Sequence, residues 1–206
     1  MTRAKHSSMT APRRAIPLLV LLACALPAGS AQAGAPTANV ATATIEQDNG
    51  RAFDFAWDIA KQRGGVVDHA NKAHAAGRCT DCEATAIAFQ VVLASDAERV
   101  APVNQAVALN QACTECAVVA EARQFVRVVD TPVKLTGRGR SELADVRHDL
   151  ADLEAQDPPI DQLHQAVEQQ EARVREILGR ELVVKSDPDT DAEVLDAWVT
   201  QDAELE

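Results

Sequence analysis

Cys79-Thr80-Asp81-Cys82 and Cys113-Thr114-Glu115-Cys116 stand 34 residues apart and lead into matching residues. Under that offset Ala86 meets Ala120, Ala88 meets Ala122, Gln90 meets Gln124 and Val92 meets Val126. The shared pattern, C-T-[DE]-C-x3-A-x-A-x-Q-x-V, marks an internal repeat, and a repeat constrains a fold strongly because each copy is one structural unit that packs on its neighbour. Each copy is predicted to carry a helix of about 12–15 residues starting near its Cys pair, with Thr80 and Thr114 as N-caps. Ahead of the second pair, Val103, Gln105, Val107 and Leu109 alternate in the manner of a strand. Two copies fall short of the three or more that a solenoid array needs. A pseudo-symmetric pair sharing one core is expected.

The rest of the chain is organised around that repeat. Residues 34–50 are small and polar and read as a flexible leader. Phe53, Phe55, Trp57 and Ile59 alternate with Asp54, Ala56 and Asp58, the period-2 pattern of a half-buried strand. After the turn signal Arg63-Gly64-Gly65, residues 66–76 read as a weaker strand, hairpin-paired with the first. Thr136-Gly137-Arg138-Gly139 marks a break. Beyond it, Ser141 is placed to cap a helix carrying Leu143, Val146, Leu150 and Leu153. Asp157-Pro158-Pro159 divides that helix from a second one with Ile160, Leu163, Val167, Val174, Ile177 and Leu178 along one stripe, and the two form an αα-hairpin. The expected fold class is α+β. A small sheet with two helices, each starting at a CxxC pair, occupies 51–135, and a C-terminal helical hairpin packs on it over 136–185.

The ends carry a different message. Arg3, Lys5, Arg13 and Arg14 form a basic flank, residues 15–26 an apolar run, and Ala31-Gln32-Ala33 a small-residue cleavage site. This is the pattern of a signal peptide over 1–33, cut between Ala33 and Gly34. A second processing route is lipidation at Cys24, which follows Leu21-Leu22-Ala23. The expected location is secreted or extracytoplasmic, with no membrane span in the mature chain. Four of the 20 basic residues and none of the 31 acidic ones lie in 1–33, so cleavage takes the formal charge from −11 to −15. Such a surface repels phosphate backbones and argues against nucleic acid as a partner. Residues 186–206 hold Asp187 to Glu206, eight acidic residues and no basic one, and read as an acidic tail.

Three chemistries fit the Cys pairs. Structural disulfides suit an exported chain with an even number of mature cysteines. Repeat-to-repeat bridges, Cys79–Cys113 with Cys82–Cys116 or the crossed version, are the expected pairing, and closure of each pair on itself is the rival. Redox catalysis is the second, but Thr-Asp and Thr-Glu inside the pairs place a carboxylate beside the would-be thiolate. A four-cysteine zinc site is the third, although 30 intervening residues exceed the usual spacing. His69 and His74 lie close enough upstream to extend such a site. Gln90 and Gln124 are expected to satisfy buried backbone groups beside the pairs. Asp187, Asp189, Asp191 and Glu193 imitate a calcium loop, but Ala192 and Trp198 stand where the loop needs Gly and Glu. There is no H-E-x-x-H, G-x-S-x-G or phosphate loop.

The doubled pattern, with Ala86 to Leu93 after the first pair and Gln124-Phe125-Val126 after the second, resembles an exported actinobacterial twin-CxxC domain. That domain occurs in proteins catalogued as putative peptide zinc metalloproteases, and the likeness runs over about residues 45–180. The protease label belongs to a membrane-embedded portion of the larger members. The resemblance therefore implies the domain and its four cysteines, and no catalytic residue. The expected function is a secreted, non-catalytic binding or accessory module, recognising peptide or protein, with no cofactor. The alternatives are an extracytoplasmic thiol–disulfide oxidoreductase and the structural zinc site.

Overall fold

A computed structural model describes residues 38–185. The signal segment, Cys24, the Ala33–Gly34 cleavage and the acidic tail lie outside the described residues. Sheet and helix are mixed, and parallel sheet dominates. The elements run β1 (Ala38–Ile45), β2 (Arg51–Arg63), β3 (Val66–Val67), β4 (Ala70–Gly77), β5 (Glu83–Ser95), β6 (Arg99–Val100), β7 (Val103–Asn110), β8 (Ala117–Val129) and β9 (Val133–Leu135). Then come α1 (Gly137–Ala151), α2 (Leu153–Gln156), α3 (Ile160–Arg180) and β10 (Leu182–Val184). Three parallel stacks, β1-β4-β7, β2-β5-β8 and β3-β6, build a coiled solenoid of three circuits.

The repeat is thus threefold. Its first circuit has Gln47 and Gly50 at the positions of the two cysteines, as the pairing of Arg51 with Glu83 and of Glu83 with Ala117 requires. Equivalent residues lie 32 apart between the first two circuits, as Asn39 and Asn71 do. Between the second and third they lie 33 apart for Asn71 and Asn104, then 34 for Gln90 and Gln124. One of the inserted residues is Ala112, just before Cys113, which takes a left-handed φ of 51°. The drifting period hides the first copy from a search at fixed offset.

The segments after the Cys pairs are strands, not the expected helices. In β5, Ala84, Ala86 and Ala88 face into the coil while Ile87, Phe89, Val91 and Leu93 face out, and all are buried. Alternation of period two with β-branched valines suits a pleated strand. The coil interior explains the alanines. Ala41, Ala43, Ala73, Ala75 and Ala106 of the opposite stack meet them, which leaves room for a methyl group only. The leader of 34–50 contains β1, and the expected hairpin strand at 66–76 divides into β3 and β4, which pair parallel with neighbouring circuits.

The helices lie over the outer face of β2-β5-β8. Leu143, Val146 and Leu150 of α1 and Leu163, Val167, Val174, Ile177 and Leu178 of α3 join Phe89, Val91 and Phe125 in one apolar core. Trp57 stacks on Phe89 at 6.0 Å between ring centroids, and Phe89 meets Phe125 at 6.1 Å. α1 begins earlier than expected. Thr136, not Ser141, is its N-cap, accepting a 2.9 Å bond from the Gly139 amide. β10 returns antiparallel to β9 and ties the end of α3 to the start of α1.

Candidate functional site

Each CxxC forms one corner of the coil, between the β4 and β5 or the β7 and β8 positions. Coil stacking continues through the corners. Thr80 bridges Thr114 in parallel, the Asp81 amide donates to the Thr114 carbonyl at 2.9 Å, and the Ala117 amide donates to the Cys82 carbonyl at 2.9 Å. In the first circuit Asp48 serves this corner through its side chain, accepting a 2.7 Å bond from the Thr80 amide. Asn49, Asp81 and Glu115 share one left-handed position, with φ of 55°, 55° and 57°. That conformation lets the chain reverse within four residues and brings both cysteines of a corner to the same side.

The structure joins Cys79 to Cys82 and Cys113 to Cys116, with Cα separations of 6.0 and 5.8 Å. The bonds lie within each pair and not between repeats, against expectation. Both separations fall in the ordinary disulfide range. Because one circuit of the coil returns the chain to the same place one layer on, the two pairs are also neighbours. All four Sγ atoms lie within 4.8 Å of one another, and Cys82 Sγ stands 3.2 Å from Cys116 Sγ. Cys79 and Cys82 are buried, and Cys113 and Cys116 half-buried.

The other residues singled out in the sequence go elsewhere. Among the described residues the sulfur cluster takes in neither His69 nor His74. His69 contacts Gln62 Oε1 at 3.0 Å, and His74 lies on β4 between Thr42 and Val107. Gln90 and Gln124 sit far along their strands from the cysteines. They form a ladder with Asp58, with bonds of 3.1 Å from Gln90 to Asp58 and 2.7 Å from Gln124 to Gln90. A second ladder, Asn39–Asn71–Asn104, was not anticipated. Its amides bond to one another at 2.8 and 2.9 Å and to strand carbonyls across the interior, including Phe89 and Ala88. The signal for it is present, an Asn two residues before an Ala in β1, β4 and β7. It is visible only once the drifting period is allowed.

A groove of about 790 Å³ opens at the opposite corner of the coil. Lys61 and Arg63 of β2, Lys134 of β9, Arg140 of α1 and Lys185 line it, with Leu93, Pro132 and Val184 as apolar floor. No carboxylate is among its lining residues. Arg63 pairs with Asp96 at 3.1 Å in an exposed contact, and Arg140 donates to the Leu135 carbonyl at 2.8 Å. Five cations on one groove stand out in a chain of formal charge −11. Sequence reading missed the groove because its basic residues come from four separate stretches. No helix among the described residues is long and apolar enough to cross a membrane.

No family model, no curated protein and no solved structure matches this chain.

Proposed function

We propose that this chain is an extracytoplasmic, non-catalytic binding module, stapled by its Cys pairs, that takes an acidic peptide or protein segment in the groove at Lys61, Arg63, Lys134, Arg140 and Lys185. The groove carries the reading: of five cations on a concave surface only Arg63 is paired to a carboxylate there, Asp96, and the excess of positive charge favours an anionic ligand, while its apolar lining suits a peptide better than a free ion. The export signal and the twin-CxxC resemblance support the location and the accessory role. Fluorescence polarisation of a labelled oligo-glutamate peptide tests it. Saturable binding that weakens with salt and drops at least tenfold in Lys61→Gln/Lys134→Gln/Lys185→Gln supports the reading; equal binding by that variant sinks it.

The 3.2 Å approach of Cys82 to Cys116 favours one second reading, a thiol–disulfide oxidoreductase in which the pairs exchange. Asp81 and Glu115 disfavour the thiolate that such exchange needs, so insulin reduction by the protein is expected to stay at background.

A further inference from the structure

The four sulfurs also suit a site that the oxidised pairs conceal. We propose that the reduced protein binds one zinc-class dication through Cys79, Cys82, Cys113 and Cys116. The sequence objection to such a site is the 30 residues between the pairs. That separation is one circuit of the solenoid, and the chain comes back to its starting corner one layer away, so it sets no distance between the ligands. Four thiolates at about 2.3 Å from a tetrahedral ion lie about 3.8 Å from one another. The cluster already holds all four Sγ atoms within 4.8 Å. The Cα separations of 6.0 and 5.8 Å across each pair let the sulfurs part by side-chain rotation. The backbone frame is rigid, since the corners are tied by the Thr80–Thr114 bridge and by the bonds from Asp81 and Ala117 to the neighbouring circuit. Cys79 and Cys82 are shielded from solvent while the third-circuit pair is half-open, which gives an ion a way in.

The chemistry balances with a dithiol as reductant. Two dithiols each give two electrons and two protons to one bridge and close to their own disulfides, leaving four protein thiols. The dication then displaces up to four protons and is held as a tetrathiolate. This inference is independent of the groove. It predicts that the same cysteines serve as staples when oxidised and as metal ligands when reduced.

Cobalt titration of the purified protein, reduced with a phosphine under argon, tests it, with circular dichroism followed in parallel. The expected result is the visible spectrum of tetrahedral cobalt thiolate, saturating at one equivalent and displaced by zinc. The spectrum should vanish in Cys113→Ser/Cys116→Ser. If reduction unfolds the chain, zinc is expected to restore the native dichroism. No spectrum and no refolding, saturation at two ions per chain, or a spectrum that survives in the double variant would overturn the proposal.

Discussion

Arg123 holds the joint between the coil and α3. Its guanidinium meets Glu121 at 2.9 Å and Glu171 at 2.6 Å, and Glu121 and Glu171 are themselves held by His164 and Arg175. All three side chains of the central trio are largely withdrawn from solvent. Removing the guanidinium would leave Glu121 with His164 and Glu171 with Arg175 but break the bonds that join the coil to α3, so Arg123→Ala is expected to lose about 1–3 kcal/mol in urea unfolding. Arg123→Lys should recover only part of this, because one ammonium does not reproduce the fork. Glu115 gives the opposite case. Its φ of 57° is a conformation that L-residues adopt at about 1–2 kcal/mol and Asn tolerates best. The first circuit has Asn49 at the equivalent place. Glu115→Asn is expected to raise stability by up to about 1 kcal/mol, read as a higher Tm. A lowered Tm would show that the carboxylate has a stabilising partner at that corner.

Among the elements, the closure of β10 on β9 rests on a knot of charge. Glu181 receives hydrogen bonds from the Thr136 hydroxyl and, at 3.0 Å, from Arg180, which also reaches Glu142 at 2.7 Å. The Thr136 hydroxyl first and the Arg180 guanidinium second hold the Glu181 carboxyl below its usual range. Arg138, with Arg180 behind it, does the same for Glu142. Both folded values lie below the unfolded ones. Their stabilisation is therefore present above the ordinary carboxylate pKa and disappears as pH falls through the depressed folded values. The denaturant midpoint should drop on acidification below about pH 4, and Glu181→Gln should drop less steeply. Gly139 is required at the same joint, since a Cβ there would stand 2.5 Å from Glu181 Cβ. Gly139→Ala is expected to lose about 1–3 kcal/mol through the forced shift. How much of this was legible varies with the element. The alternation Phe53 to Ile59 marked β2, and the stripe Leu163 to Leu178 marked α3, because each apolar side faces one surface. β5 misled because it is buried on both faces and four of its 13 residues are alanine, which has no preference for strand. Read two residues at a time, Ala84, Ala86 and Ala88 against Thr85, Ile87 and Phe89 hold the strand period in plain view.

At the scale of the molecule the staples are local. Each closes a loop of sequence separation 3, for which the chain-entropy relation gives about 2 kcal/mol, against roughly 3–4 for a repeat-to-repeat bridge. Reduction should lower unfolding free energy by about 2 kcal/mol per bridge, and non-reducing peptide mapping should recover Cys79 with Cys82 and Cys113 with Cys116. The four cysteines were legible as a set because they share one spacing; the groove was not, because only the coil and the returning β10 bring Lys61, Lys134 and Lys185 together. The helical hairpin has a consequence for the coil's length. α1 meets β2 and α3 meets β8, so the two helices span the full width of the stack. Neighbouring helices pack 8–10 Å apart, and two strand spacings of about 4.8 Å cover the same width. A pair of helices is thus a gauge for three strands. A chain with residues 70–102 inserted a second time would extend both ladders without strain, yet push one copy of Phe89 and Val91 out from under the roof. Such a protein should associate with itself, and a third helix should cure it.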